Sequence, residues 1–244
     1  FFDFRGRMYY EADTASVLSP QSAKWARGLL RFHNGAPLGA FGWGNIVNEY
    51  ANAVGHDKVP LSERHKLGLQ EVVANAGLLN APLSSEAKKT WMKADEPIKA
   101  LCMLFEIMRL AEEAAGKRDA MEGCVSHAIL HFDGTCNGIQ HLAMLSKSTE
   151  MARAVNIIGD LTTRRDIYQQ VADKAIEISE GTAQQVLREH GRKLCKQPTM
   201  TVPYGAKRQD RQVLSTLNEL RVPDADALTP CVTKAIKKAI TEVL

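Results

Sequence analysis

The sequence predicts a helix-rich α+β fold with few strands, and three observations carry that expectation. From Leu161 onward, apolar residues recur at helical spacing almost without interruption. One segment, SHAILHF from Ser126 to Phe132, instead alternates and is apolar enough for a buried strand. The first half is punctuated by Ser-Pro, Asn-Gly and single glycines at intervals of helical length. At 244 residues the chain can bury a sizeable core in one or two domains.

In chain order, the opening FFDFRGRMYY sets Arg5 and Arg7 among aromatic residues. Such interleaving suits base stacking with phosphate contact, and equally a strand with an arginine-bearing edge. Ser19-Pro20 predicts the start of a helix that runs to about Phe32 and closes at Asn34-Gly35. AFGWGNIVNEYANAVG predicts the next helix, His56 to Pro60 a loop, and SERHKLGLQEVVANAG a helix capped by Ser62 and ended at Gly77. A helix from Pro97 to about Ala115 follows, with Leu101, Leu104, Phe105 and Met108 as its core face. Trp43 and Trp91 read as packing residues. The strand places His127, Ile129, His131 and Asp133 on one face and Ala128, Leu130 and Phe132 on the other. Helices are then expected over Thr162 to Glu180, Thr182 to about Tyr204, Lys207 to Arg221 and Leu228 to Leu244, with a turn at Val222-Pro223-Asp224.

Composition bounds function only loosely. A net charge of +3 announces no global basic field, although Lys193, Lys196, Lys207, Arg208 and Arg211 bunch in the last third. The five cysteines form no C-x-x-C pair, which favours free thiols over disulfides or zinc. No apolar run reaches the roughly 20 residues that span a bilayer, so no membrane partner is expected. The chain opens on Phe1 and closes inside a predicted helix, and so reads as a piece of a longer protein.

Two stretches carry chemistry. In HFDGTCNGIQHLAML, Asp133 and Gly134 sit between the strand and a helix with the spacing of IQHLAMLSK. A carboxylate at a strand end, followed by a glycine carbonyl, can seat a divalent cation. The same pattern suits an ordinary turn with Asp133 as a helix cap. His131 and His141 lie near Asp133 in sequence but would suit softer metals, so Gln140 and His141 read as braces of the turn. In GRKLCKQPTMTVPYG, Arg192, Lys196, Met200 and Tyr204 recur every four residues and form one helical stripe. The two cations suit a triphosphate, Arg192 by its fork and Lys196 as a point charge, and Met200 and Tyr204 suit a base and a sugar. A solvated amphipathic face is the alternative. Pro198 weakens the helix there, because it removes a backbone hydrogen bond; in the first turn of a helix restarting near Gln197 it would be harmless.

These stretches resemble motifs A and B of the single-subunit RNA polymerases of bacteriophages and mitochondria: DGTCNGIQH the first, R-x3-K-x3-M-T-x2-Y-G the second. DFRGRMYY, HDKVPLSER, and ARAVNII followed by DIYQQVADK resemble further segments of that family, in the family's order. The resemblance covers residues 3 to about 215. It implies a right-hand polymerase: a palm-like portion over residues 1–160 and the start of a helical fingers portion over 161–244. It implies templated transfer of nucleotidyl groups from NTPs to an RNA 3′ end, with a DNA template and an RNA transcript as partners, two magnesium ions and a monomeric enzyme.

By resemblance, Asp133 and Gly134 would ligate metal, and Lys58, Tyr168, Arg192, Lys196, Met200, Tyr204 and Gly205 would bind the incoming nucleotide. Lys196 and Tyr204, with Asp133, would be catalytic. Arg5, Arg7, Tyr9 and Arg27 would meet nucleic acid. The family's second metal aspartate lies in an H-D-S motif that has no counterpart in this chain, so the piece alone is expected to be inactive. A phage protein in the cytoplasm of an infected bacterium is expected first, a mitochondrial matrix protein second. A family A DNA polymerase piece, a non-catalytic helical nucleic-acid-binding module and a degenerate homologue are the alternatives.

Overall fold

The computed structural model describes residues 1, 2, 8, 25, 28–115, 121–132, 134–159 and 162–244. Arg5, Arg7, Tyr9, Arg27 and Asp133 lie outside the described residues, as does most of the predicted helix from Ser19. The chain divides into two compact units, Phe1–Phe132 and Asp133–Leu244. The boundary expected at 160/161 falls inside the second unit. The helix-rich α+β class holds: ten helices and a two-stranded sheet are seen among the described residues.

In the first unit, β1 (Arg31–Pro37) pairs antiparallel with β2 (Val125–Ala128), Pro37 opposite Val125 and Ala36 opposite Ser126. Residues Arg31 and Phe32 are therefore strand, not the end of a helix, and Asn34-Gly35 lies within β1. The stop signal misled because its meaning depends on β2, more than 90 residues away. A Cβ on Gly35 would come within 2.4 Å of the Val125 side chain and 2.7 Å of the His127 ring, so this glycine makes room for the facing strand. β2 ends at Ala128, short of the expected Phe132, and Phe132 is exposed.

Around the sheet stand α1 (Gly42–Val54), α2 (Leu61–Asn75), α3 (Ser85–Trp91) and α4 (Pro97–Ala114). α2 starts one residue before Ser62, behind Pro60, and passes at Ala76 into a 3-10 turn that contains Gly77. Ser84 caps α3 by accepting from the Ala87 N–H, and Trp91 donates its indole N–H to the Pro82 carbonyl at 2.9 Å. The buried face of α4 is Ala100, Met103, Leu104, Ile107 and Leu110, packed on Ile46 and Tyr50 of α1. Phe105, expected in this core, is instead half-exposed.

Two buried carboxylates tie these elements together. Glu106 of α4 accepts from Arg31 (2.6 Å), Arg109 (2.9 Å) and the Ser126 hydroxyl (2.7 Å), which joins both strands to the helix. Glu49 of α1 lies 2.6 Å from the Lys99 ammonium and accepts from the backbone N–H of His131 at 3.2 Å. The His131 ring nitrogen Nδ1 sits 2.8 Å from the same oxygen. Where the chain leaves the strand ladder after Ala128, Glu49 thus takes over as its backbone partner.

Burial alone would raise the Glu106 carboxyl, but its bonds to Arg109 and Ser126 and the charges of Arg109 and Arg31 hold it at about 2, against an ordinary 4.5. A carboxyl depressed in the folded state stabilises fully above its ordinary value, and that contribution fades as pH falls from about 4.5 to about 2. With both arginines partly exposed, the effect is on the order of 2 kcal/mol. Glu106→Gln is therefore expected to lower the urea midpoint of unfolding at pH 7, with the gap to wild type narrowing as pH approaches 2. A gap that is constant across that range would remove the ionised carboxylate as the cause.

The second unit is entirely helical among the described residues: α5 (Asn137–Ser146), α6 (Thr149–Ala154), α7 (Ile167–Glu177), α8 (Gly181–Thr201), a 3-10 turn at Val202–Tyr204, α9 (Gln209–Glu219) and α10 (Ala225–Val243). Helices α7 to α10 share a core that includes Val171, Leu187, Leu194, Val213, Leu217, Val232 and Ile236. α7 begins at Ile167, not near Thr162, because Asp166 caps it.

α8 runs unbroken through Pro198, as the helix expected from Thr182 to about Tyr204 requires, and does not restart near Gln197. A mid-helix proline costs roughly 3 kcal/mol. Pro198 lies on the buried stripe with Leu187, Gly191, Leu194 and Cys195, and that burial along the helix offsets the lost hydrogen bond. The α-helix ends at Thr201, whose hydroxyl donates to the Gln197 carbonyl at 2.9 Å.

Candidate functional site

The stretch after Asp133 turns tightly before α5. Cys136 adopts a left-handed conformation with φ 55, unusual for a residue with a side chain, and is buried. Gln140 donates its side-chain amide to the Val155 carbonyl at 3.0 Å, while its oxygen would lie 2.9 Å from a Cβ on Gly134. Gln140 therefore braces the turn, as its position in the sequence suggested. His141 is exposed and takes no such part.

Three predicted nucleotide residues gather about this turn. Tyr168, on the first turn of α7, is buried against Cys136, Ile139 and Val155. Its phenol is held above its ordinary range by burial first, then by its hydrogen bond with the Cys136 thiol and the nearby Asp166 charge, against which Arg192 acts. The Arg192 guanidinium lies over the Tyr168 ring, 5.8 Å from its centre, and donates through Nε to Asp166 at 2.7 Å. Tyr204 follows the end of α8, and its ring, with Pro203, lies against the start of α5. A Cβ on Gly138 would meet Pro203 at 2.9 Å and the Tyr204 ring at 3.2 Å. Glycine at 138 is what lets these two motifs touch.

The stripe of α8 is exposed in parts. Arg192 is partly covered, Lys196 and Gly205 are exposed, and Met200 is 40% exposed. Tyr204 stands on the 3-10 turn beyond the α-helix, so it leaves the strict four-residue spacing; it is 68% exposed. Lys196 forms no ion pair among the described residues, and the Tyr204 hydroxyl has no hydrogen-bond partner among them. Lys58 belongs to the other unit. It is exposed on the loop between α1 and α2, and that loop is held by Arg64, which donates to the carbonyls of Asp57 (2.8 Å) and Val59 (2.7 Å).

Among the described residues, no group of three or more His, Cys, Asp or Glu side chains is placed to hold a metal ion, and no helix is long and apolar enough to cross a membrane. Sequence reasoning missed Asp166 and Cys136. An aspartate just ahead of a helix is a readable cap, but nothing in the spacing says that it meets Arg192, 26 residues on.

Residues 36–244 match the DNA-dependent RNA polymerase family. The chain is 35% identical over 211 residues to the mitochondrial DNA-directed RNA polymerase of Neurospora crassa, a match that covers 83% of the chain and 14% of that protein. It is 33% identical to the mitochondrial enzyme of Schizosaccharomyces pombe, across 98% of the chain and 21% of the relative. With the DNA-directed RNA polymerase of Enterobacteria phage K11 it shares 32% identity over 72% of the chain and 18% of the relative. The chain thus spans about a fifth or less of each of these relatives. By the family match across most of its length, and by these similarities, the chain belongs to the DNA-dependent RNA polymerases of the single-subunit mitochondrial and phage type.

Proposed function

We propose that this chain is the nucleotide-binding part of a DNA-directed RNA polymerase that extends an RNA 3′ end on a DNA template. The observation that carries this reading is the junction in the second unit. There the turn after Asp133, the start of α7 and the end of α8 converge through Cys136–Tyr168, Tyr168–Arg192 and Gly138–Tyr204. Lys196, Met200 and Tyr204 stay exposed beside that junction, where a ligand can reach them.

In the reaction a 3′-hydroxyl attacks the α-phosphate of an NTP, a new phosphodiester forms, and pyrophosphate leaves. Arg192 offers its terminal nitrogens and Lys196 its ammonium to the triphosphate, which offsets charge and orients the group. By resemblance, Lys58 would be a further cation for the nucleotide. Met200, Tyr204 and Gly205 face the base and sugar, and Tyr168 supports Arg192 from below. Asp133 and the Gly134 carbonyl form an all-oxygen donor set of the kind magnesium takes, and they would hold it with a second carboxylate. When bound, two magnesium ions supply charge compensation on the attacking and leaving oxygens. Arg5, Arg7, Tyr9 and Arg27 would contact template and transcript. Residues 1–160 would belong to the palm and 161–244 to the fingers of a monomeric enzyme, in a mitochondrion or in a phage-infected cell. Membership of an RNA polymerase family sets aside the family A DNA polymerase alternative.

Lys196→Ala in the complete polymerase tests this assignment. A charge-assisted contact is worth about 1.5–3 kcal/mol, so use of each NTP, read as kcat/KM, is expected to fall about ten- to a hundredfold. Template affinity should be unchanged. If template affinity falls instead and nucleotide kinetics hold, Lys196 belongs to a phosphate-backbone patch and the binding-module alternative gains.

A further inference from the structure

We propose that Asp166 is a positioning residue for the Arg192 guanidinium, one that aims its two terminal nitrogens at the nucleotide. The inference rests on the reading that Arg192 meets the triphosphate.

The two carboxylate oxygens of Asp166 divide their work. Oδ1 accepts from the backbone N–H groups of Tyr168 (3.0 Å) and Gln169 (3.3 Å), which caps α7. Oδ2 accepts from Arg192 Nε at 2.7 Å. The choice of Nε matters. A carboxylate that gripped the fork of the guanidinium would use up the face that reads phosphate. Held through Nε, the guanidinium keeps both terminal nitrogens without a protein partner among the described residues. The Tyr168 ring, itself buried in one cluster with Cys136, lies beneath the guanidinium.

The pair is a poor stabiliser of the fold. Its side chains are 40% and 37% exposed, and ion pairs so open to water contribute little to stability. What it does supply is order. A free arginine side chain loses rotamer freedom when it is immobilised, and here that loss precedes binding. Because Oδ1 caps α7, the aim of Arg192 is also tied to the start of the helix that carries Tyr168.

The experiment uses the complete polymerase, steady-state KM and kcat for NTPs, and the variants Asp166→Asn, Asp166→Ser, Arg192→Ala and Asp166→Asn/Arg192→Ala. Asparagine and serine both keep the helix cap, but neither presents a second carboxylate oxygen to Nε. Two variants guard against a folding failure in one. Melting temperatures should stay near wild type. KM for NTPs is expected to rise about fivefold in each Asp166 variant, about tenfold or more in Arg192→Ala, and no further in the double variant, because Asp166 acts only through Arg192. A wild-type KM in both Asp166 variants, with a raised KM in Arg192→Ala, overturns the proposal and leaves the triphosphate reading standing. So does an Asp166 effect that adds fully to Arg192→Ala. An unchanged KM in Arg192→Ala removes the triphosphate reading and, with it, the role of Asp166.

Discussion

Asp133→Asn in the complete polymerase is expected to abolish nucleotide addition while the protein stays folded. Asparagine has nearly the shape of aspartate and can still cap or hydrogen-bond, so local structure has little reason to change. It lacks the negative charge that a hard divalent cation needs in its ligand. If the metal held there compensates charge on the reacting oxygens, its loss removes a contribution of several kcal/mol to the transition state, on the order of a thousandfold or more in rate. The measurement is single-nucleotide extension of an RNA primer on a DNA template, with circular dichroism as the control for folding. A folded variant that extends at near wild-type rate would end the metal assignment of Asp133, and would favour the degenerate-homologue alternative if the wild type proves slow as well.

Tyr204→Phe is expected to leave RNA synthesis largely intact and to relax the choice between ribose and deoxyribose. The phenol is exposed, its hydroxyl has no partner among the described residues, and its ring is seated against the start of α5 at Gly138. A ring held from one side with a free hydroxyl is poised to sense a substrate group, and a contact with the 2′-hydroxyl would exist only with ribonucleotides. Losing such a bond shifts discrimination by about ten- to a hundredfold, while the flat face that stacks on the nucleotide remains. Competition of each NTP against its dNTP in wild type and variant reads this directly. An unchanged ratio at normal activity would leave Tyr204 as a stacking residue at most.

The sequence by itself determined the class of fold and the family. The continuous 3.6-residue spacing after Leu161 allowed only helices, and those helices are found, with ends displaced by a few residues. The motif segments were legible because their chemistry is carried by residue type and local order: Asp-Gly after an apolar run, and Arg, Lys and Tyr at fixed intervals. Local signals failed where a distant partner overruled them. Asn34-Gly35 has the composition of a helix stop, yet it lies within β1, in the irregular stretch between the pairs that Arg31 and Ala36 make with β2. Pro198 has the composition of a helix break, yet the buried stripe around it holds α8 together.

Only the tertiary structure decided which charges meet. Glu49 with Lys99 and His131, Glu106 with Arg31, and Asp166 with Arg192 are separated by as many as 82 residues and follow no periodicity. The physical reason is common to all of them. Periodicity records which face of an element is apolar, and so it reports burial. A hydrogen bond depends on where two elements come within about 3 Å of each other, and that distance is set by the packing of the whole unit.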